Sequence, residues 1–123
     1  VYTQDHQFDS AFEKGFDYYI QTFFINNELP KYYHDKLYPI DIHSPAQLIV
    51  TLSKTNRLKA HLPLAEKVLN WTITNMQDPK GYFYYQLKPL VSSKIPYMRW
   101  AEAWMFYAFS TYFYKLSKYE SLD

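Results

Sequence analysis

Two short clusters of polar and aromatic residues stand where two strongly apolar segments of the chain begin. The clusters are Asp41 with His43, and Arg99 with Trp100 and Glu102. Two carboxylates are the usual requirement for glycoside hydrolysis, one as general acid and the other as base or nucleophile. We therefore predict Asp41 and Glu102 as catalytic residues, with His43 as an alternative general acid/base.

Aromatic side chains surround these clusters in the sequence. Half of the 26 aromatic residues lie between positions 81 and 114, in an apparent aromatic hairpin followed by an apolar helix. Aromatic walls with a few polar groups are typical of ligand pockets. The residues predicted to bind a substrate are Tyr38, Tyr84, Tyr97, Arg99 and Trp100. The tyrosines and the tryptophan would stack on rings, and Arg99 would hold a carboxylate or phosphate with two parallel hydrogen bonds.

Each of these residues also has a structural explanation. Asp41 could end a loop and favour the dipole of the helix that follows, and His43 could hydrogen-bond locally. Glu102 could pair with Arg99, three residues earlier on the same helix. Trp100 could pack in the core together with the tryptophan one turn later. Both explanations stay open at the level of sequence.

Composition limits the classes of function. The 123 residues suit one domain, and 48% are apolar, so a real core can form. The net charge is +1 with both signs interspersed, which argues against nucleic-acid and membrane partners. The four histidines lack metal-ligand spacing, the chain has no cysteine, and no Gly-rich phosphate loop is present, so we predict no metal and no cofactor. Because Val1 is not an initiator methionine, we expect a processed or truncated chain.

Apolar residues at helical spacing predict an all-α protein with four helices. These are about 5–25, a helix from residue 44 through the apolar run 48–52, about 62–77, and about 99–117. The first and third have one apolar face, whereas the second and fourth are apolar nearly all round, which predicts burial between neighbours. Ser44, Pro45 and Gln47 fit a capping box at the start of the second helix.

Two long connections separate each amphipathic helix from the buried helix that follows. They cover about 26–43 and about 78–98, and connections of this length are usually functional. We predict short strands at 31–33 and 82–85, each pairing with a return strand in its own connection.

The two halves of the chain correspond at a constant offset of 57 residues. Phe12 matches Leu69, and His43 matches Trp100. We interpret the halves as two αα-hairpin repeats, about 5–55 and about 61–118, each with an outer helix, an excursion and an inner helix. Because repeat arrays usually need three or more units, the chain is either part of a larger array or associates with copies of itself.

Several segments resemble the last hairpins of an (α/α)-toroid protein. They are YPIDIHSPAQ (38–47), GYFYYQ (81–86), PYMRW (96–100) and AWM (103–105). The resemblance covers nearly the whole chain and is to the six-hairpin glycosidase superfamily, within it to bacterial polysaccharide-associated members. It implies one partial (α/α)-toroid domain over 1–123, about a third of a full toroid, with a sugar site where the loops reach the inner helices. Members include glycoside hydrolases, uronyl hydrolases and sugar epimerases.

The sequence therefore supports two hypotheses of different class. The first is a carbohydrate-active domain, glycosidase-like or sugar-epimerase-like, with a carbohydrate ligand and with further N-terminal hairpins of the same protein as neighbours. The second is a non-catalytic helical repeat module that binds a protein partner or forms a homo-oligomer through its open aromatic face. An enzyme should lose turnover with Glu102→Gln or Asp41→Asn, whereas a scaffold should lose its partner with Trp104→Ala.

Overall fold

The computed structural model describes residues 6–121 of the protein, and most of them are helical. The α-helices are α1 (Asp9–Phe23), α2 (His43–Lys54), α3 (Leu62–Met76) and α4 (Ala103–Glu120). The short strands are β1 (Phe24–Ile25), β2 (Leu29–Pro30), β3 (Ile40–Asp41) and β4 (Gln86–Leu87), and they form two antiparallel two-stranded sheets, β1–β2 and β3–β4. A π-helical turn (Met98–Glu102) leads into α4. The prediction of a mainly helical chain with four helices is confirmed.

Helix α1 is shorter than predicted and ends in a hairpin. It stops at Phe23 because Phe24 is extended and starts β1. Asn26 and Asn27 then both adopt left-handed backbone conformations, with φ of 55° and 56°. Asparagine tolerates this region better than most residues, so the pair turns the chain back into β2. The first predicted residue of this helix, position 5, lies outside the described residues.

The two long connections pair with each other, which corrects the predicted hairpins. Residues 31–33 form no strand, and within 82–85 only Phe83 makes an isolated bridge, although the second connection does bridge onto itself at Gln86 and Ser93. The register of the sheet between β3 and β4 is Ile40 opposite Leu87 and Asp41 opposite Gln86. Because Ile40 and Asp41 are both 2% exposed, their backbone groups need partners, and the second connection supplies them.

Helices α2 and α4 pack side by side and run in the same direction. At their first residues, the ring of His43 contacts Trp100 and Trp104. At the other end, the Lys115 ammonium donates a hydrogen bond of 2.7 Å to the Asn56 side chain just after α2. The first turns of both helices therefore lie at one rim of the molecule.

Helix α2 is the centre of the core, as its apolar sequence predicts. Leu48, Ile49 and Leu52 are completely buried, together with Ile42 immediately before the helix. Other segments contribute further completely buried apolar residues, among them Leu58, Ala65, Val68, Met76, Ala101, Met105 and Ala108. Helix α3 begins and ends close to its predicted limits, with Pro63 in its first turn.

Helix α4 is not buried all round, which corrects the expectation from its composition. Only Met105, Ala108 and Tyr112 are buried, whereas Phe106 is 76% exposed and Phe113 61% exposed. The cause is the number of neighbours, because among the helices α2 is the principal element that packs on α4. An apolar helix becomes buried only on the sides where another element lies.

Helix α1 is attached to the rest of the molecule by one edge. Phe16 is its only buried residue, and Phe12 is 46% exposed. The guanidinium of Arg57 pairs with the carboxylate of Glu13 and lies over the Phe16 ring, 4.3 Å from its centroid. Within residues 6–121, no helix is long and apolar enough to cross a bilayer.

Candidate functional site

The rim where α2 and α4 begin brings together residues from both predicted clusters. The ring of His43, the first residue of α2, meets two tryptophans edge-on. Its centroid lies 5.7 Å from that of Trp100 and 5.9 Å from that of Trp104. Asp41, at the end of β3, lies directly beside His43. The side chains most able to exchange protons therefore lie against the aromatic residues of the second cluster.

Asp41 is a buried carboxylate with both oxygens engaged. Its Oδ1 accepts the backbone N–H of His43 at 2.9 Å and lies 2.7 Å from His43 Nδ1. Its Oδ2 accepts a hydrogen bond of 2.6 Å from the Gln86 amide. Three donors compensate for removing this side chain, 2% exposed, from water. Gln86 is a residue that the sequence analysis did not single out.

The start of α2 differs from the predicted capping box. The helix begins at His43, with Ile42 in the cap position and no side-chain cap from that residue. Ser44 and Pro45 therefore lie inside the first turn, and the prediction of Ser44 as N-cap is wrong. The Asp41 carboxylate takes over the function of a cap, because it accepts a first-turn N–H and lies at the positive end of the helix dipole.

The geometry assigns the hydrogen-bonding roles of the His43 ring. An ionised carboxylate has only acceptor sites, so Nδ1 of His43 donates to Asp41. Nε2 is then an acceptor in the neutral ring and a donor in the protonated ring. This atom is buried, and within the described part of the chain it has no hydrogen-bond partner. An unpartnered buried polar atom costs about 1–3 kcal/mol, so Nε2 is an atom that a ligand or a water molecule would satisfy.

A π-helical turn places the two tryptophans over His43. The carbonyl of Tyr97 accepts the N–H of Ala101 at 2.7 Å and that of Glu102 at 3.3 Å, the second being the wide bond of a π-turn. Trp100 is 61% exposed, which excludes the interpretation of this residue as core. Trp104 is partly buried against the core. Of the two indoles that cover His43, Trp100 is therefore the one with room to move.

An aromatic hollow opens beside Trp100. It has a volume of about 280 Å³ and is lined by Tyr85, Tyr97 and Trp100. The Tyr85 and Tyr97 rings meet edge-on with centroids 5.2 Å apart. Burial, followed by the negative charge of Asp41, raises the pKa of the Tyr85 hydroxyl, which therefore stays a hydrogen-bond donor at neutral pH. Tyr85 is a candidate that the sequence analysis missed, although it lies within the aromatic run 82–85.

A second hollow is lined by His43 itself. It has a volume of about 230 Å³, and its polar lining comes from Lys31, Tyr32, Ser44 and Gln47 as well as His43. Gln47 follows His43 by one helical turn, and this spacing was the signal that could have identified it. Lys31 and Tyr32 belong to a segment that was predicted as a strand. That prediction gave no reason to expect these two residues in the same hollow as His43.

For three of the predicted binding residues, no hydrogen bond, ion pair or ring contact to His43 or to the two tryptophans is found within residues 6–121. The Tyr84 hydroxyl donates to Asp78 at 3.0 Å within its own connection, and this hydrogen bond raises the pKa of Tyr84. Tyr38 is 40% exposed, and among residues 6–121 it makes no ring contact. Arg99 is exposed and forms no ion pair with the described residues, so the predicted pairing with Glu102 is wrong.

Glu102 has a different partner. Its Oε1 accepts the backbone N–H of Phe83 at 2.8 Å and so joins the π-turn to the second connection. Both predicted carboxylates are therefore engaged in holding backbone, Asp41 at the start of α2 and Glu102 at Phe83. His43 keeps one unengaged nitrogen, Nε2, whereas Glu102 keeps its second oxygen, Oε2, for which no hydrogen bond is found within residues 6–121.

No metal site accompanies this group. Within residues 6–121, the structure contains no cluster of three or more histidine or carboxylate side chains that could hold an ion.

Comparison with known proteins gives no match, since no family model, no curated protein and no solved structure is similar to this chain at a significant level.

Proposed function

We propose that the protein is a carbohydrate-active domain that binds a sugar at the rim where α2 and α4 begin. The observation that carries this proposal is the unpartnered Nε2 of His43, whose other ring nitrogen is fixed by the buried Asp41. The exposed ring of Trp100 contacts His43 and also lines an aromatic hollow together with Tyr97. Aromatic rings next to a few directed polar groups suit a sugar, which has apolar ring faces and a polar edge.

His43 is the general acid/base in this proposal. The neutral ring takes a proton from a sugar hydroxyl or an acidic sugar C–H at Nε2 and becomes an imidazolium. Asp41 stabilises that positive charge through the 2.7 Å contact with Nδ1, and the ring later returns the proton. Because both oxygens of Asp41 are engaged and only Glu102 keeps a free carboxylate oxygen, the rim lacks the two free carboxylates of a hydrolase, and we favour proton exchange, as in an epimerase.

A substrate reaches Nε2 in this proposal through a movement of Trp100. The atom is covered in the structure, and Trp100 is the exposed one of the two indoles that contact its ring. A sugar that stacks on Trp100 and turns the indole outward would open the path to His43. Gln47 and Lys31, which line the second hollow together with His43, would form hydrogen bonds with the sugar.

We also propose that the chain is built as two αα-hairpin repeats of an (α/α) toroid, a partial toroid domain over 1–123. In this arrangement α1 and α3 are outer helices, and α2 and α4 are inner helices. Two observations support it: the inner helices are parallel, and both long connections meet at the rim through β3 and β4. The proposed sugar site lies at that rim.

The proposal is tested by following proton exchange. The protein is incubated in heavy water with oligosaccharides of uronic acids, hexosamines and neutral hexoses, and deuterium incorporation and reducing-end release are measured by NMR. We expect one sugar class to exchange a carbon-bound proton, and His43→Gln to abolish the exchange. His34→Gln is the matched control, because His34 is an exposed histidine outside the site. Exchange or release that survives His43→Gln would contradict the assignment.

A second candidate function rests on a different observation. Helix α4 presents large exposed aromatic side chains on the side that no other described element covers. Such a surface favours a module that binds a protein or a second copy of itself. Phe106→Ala would weaken that association and leave sugar binding unchanged, because Phe106 does not line either hollow beside His43.

A further inference from the structure

The exposed face of α4 has a regular composition. Three small residues, Ala103, Ser110 and Ser117, follow one another at intervals of seven, and the aromatic pairs 106–107 and 113–114 fill the spaces between them. All of these residues are exposed, and they share one side of the helix because seven residues make almost two turns. No charged residue belongs to this set, which we call the α4 stripe.

The order of small and aromatic residues in the α4 stripe is symmetric about Ser110, whether it is followed towards the N-terminus or towards the C-terminus of the helix. An aromatic pair lies three and four residues away on each side, and a small residue lies seven away on each side. A second helix that runs antiparallel would place Ser110 opposite Ser110. The pair 106–107 would then face 113–114 of the second copy, and Ala103 would face Ser117. A surface that matches itself under a twofold rotation is the kind on which an isologous dimer is built.

The sizes of the side chains also fit this pairing. Small residues at every seventh position let two helix axes approach, and a seven-residue repeat is the period of knobs-into-holes packing. Beside the stripe lies a hollow of about 190 Å³, lined by Ala103, Trp104 and Tyr107. A cavity of about 150 Å³ accommodates a benzene ring, so this hollow has room for one aromatic side chain of 113–114 from the second copy.

The four exposed aromatic residues supply more than half of the area that a stable interface buries. Phe106 is 76% exposed, Tyr107 40%, and Phe113 and Tyr114 each 61%. With about 150–250 Å² per aromatic side chain, these four residues expose roughly 500 Å² in each copy. A stable interface buries about 800 Å² on each partner, and the small residues and the flanks of the helix add to the aromatic area. Lys118, with its ammonium 5.6 Å from the Tyr114 ring, would belong to a polar rim.

We propose that the α4 stripe is the interface of a twofold-symmetric homodimer in which two α4 helices pack antiparallel about Ser110. The occupant of the face is a second copy of this chain, because the stripe is complementary to itself in residue size and in spacing. The inference rests on the second candidate function, which it makes specific, and not on the sugar site, since Asp41, His43 and Trp100 are not part of the stripe.

Sedimentation velocity from low micromolar to millimolar protein concentration tests the dimer. We expect a reversible dimer, and we expect Phe106→Glu to raise its dissociation constant at least about tenfold, because a desolvated aromatic residue at the centre of an interface often carries this much binding energy. Leu90→Glu is the matched control: it introduces the same charge at a residue that is 96% exposed and off the stripe. Circular dichroism verifies that both variants are folded.

A cysteine on the proposed twofold axis tests the geometry independently. The protein has no cysteine, so Ser110→Cys introduces a single thiol that would meet its own copy. Mild oxidation is expected to give covalent dimers of Ser110→Cys and far fewer of Thr74→Cys, which places an exposed thiol on α3. A monomer at every concentration would assign the stripe to another occupant and overturn the proposal. A dimer that is insensitive to Phe106→Glu, or equal cross-linking of both cysteine variants, would also overturn it.

Discussion

At the scale of single residues, His43 and Asp41 are the centre of the proposed site. The carboxylate fixes the ring through Nδ1 and at the same time holds the first backbone N–H of α2, so one side chain both orients the imidazole and starts the helix. The imidazole is left with a single unengaged nitrogen. Positions 41 and 43 were identifiable from sequence, because two polar residues preceded an apolar helix. Gln86, 45 positions away from Asp41, was not identifiable, because nothing local connects them.

The first prediction concerns the charge of Asp41. Asp41→Asn keeps the shape of the side chain but replaces a buried carboxylate that accepts three hydrogen bonds, and hydrogen bonds to charged groups are stronger than neutral ones. We expect the free energy of unfolding to fall by about 2 kcal/mol, measured by urea denaturation at neutral pH. Asp35→Asn, at an exposed aspartate, serves as the control. A loss no larger than that of the control would contradict the described role of Asp41.

The second prediction concerns the cover over His43. Trp100→Ala removes the exposed indole that contacts the imidazole, so the buried Nε2 should become accessible to solvent. We expect the rate of His43 modification by diethylpyrocarbonate, followed by mass spectrometry, to increase several-fold. His34, exposed in the same molecule, should react at an unchanged rate and provides an internal standard. If the His43 rate is also unchanged, Trp100 is not the cover.

At the scale of elements, the connections are held together by side chains that bond to backbone. Glu102 in the π-turn accepts the N–H of Phe83, and Asp78 accepts the N–H of Lys80 at 3.0 Å. Local pattern predicted the helices well, because periodicity is a property of neighbouring residues. The pairing of β3 with β4 was not predictable in this way, because it joins segments from the two halves of the chain.

The third prediction separates a structural Glu102 from a catalytic one. Glu102→Gln keeps a carbonyl oxygen that can accept the N–H of Phe83, so we expect unchanged stability and unchanged sugar turnover. Glu102→Ala removes the acceptor and should lower the free energy of unfolding by about 1 kcal/mol, measured by chemical denaturation. Loss of turnover in Glu102→Gln with intact folding would instead restore the two-carboxylate hypothesis.

The fourth prediction is a pH dependence that arises from Asp78. The backbone hydrogen bond from Lys80, supported by the hydroxyls of Tyr84 and Tyr82, lowers the pKa of Asp78 from its ordinary value of 3.8. A carboxyl whose pKa is lower in the folded state stabilises the fold above the unfolded-state pKa, and this contribution is lost as the pH falls through the folded-state pKa. Thermal denaturation should therefore show that Asp78→Asn is less stable than the wild type at neutral pH, and that the difference shrinks below about pH 3.8. A difference that stays constant with pH would contradict the assignment.

At the scale of the whole molecule, four helices form a core around α2 and leave α1 and α4 partly uncovered. The sequence predicted an apolar helix at α4, but the exposure of Phe106 and Phe113 depends on how many elements surround the helix, which composition does not contain. The same limit applies to His43, because its two tryptophans are neighbours only when the first turns of α2 and α4 lie side by side. Residue types predicted a candidate chemistry, and the packing of parallel helices brings His43 and the two tryptophans together.

The central claim is that a sugar binds at the rim beside His43. The most direct test is an NMR titration of the protein with uronic-acid, hexosamine and neutral hexose oligosaccharides, with the His43 imidazole and the Trp100 indole followed as reporters. The account predicts saturable shifts of both signals with at least one of these sugars, and smaller or no shifts at His34, which lies elsewhere. The absence of a saturable shift at His43 and Trp100 with every sugar would contradict the account.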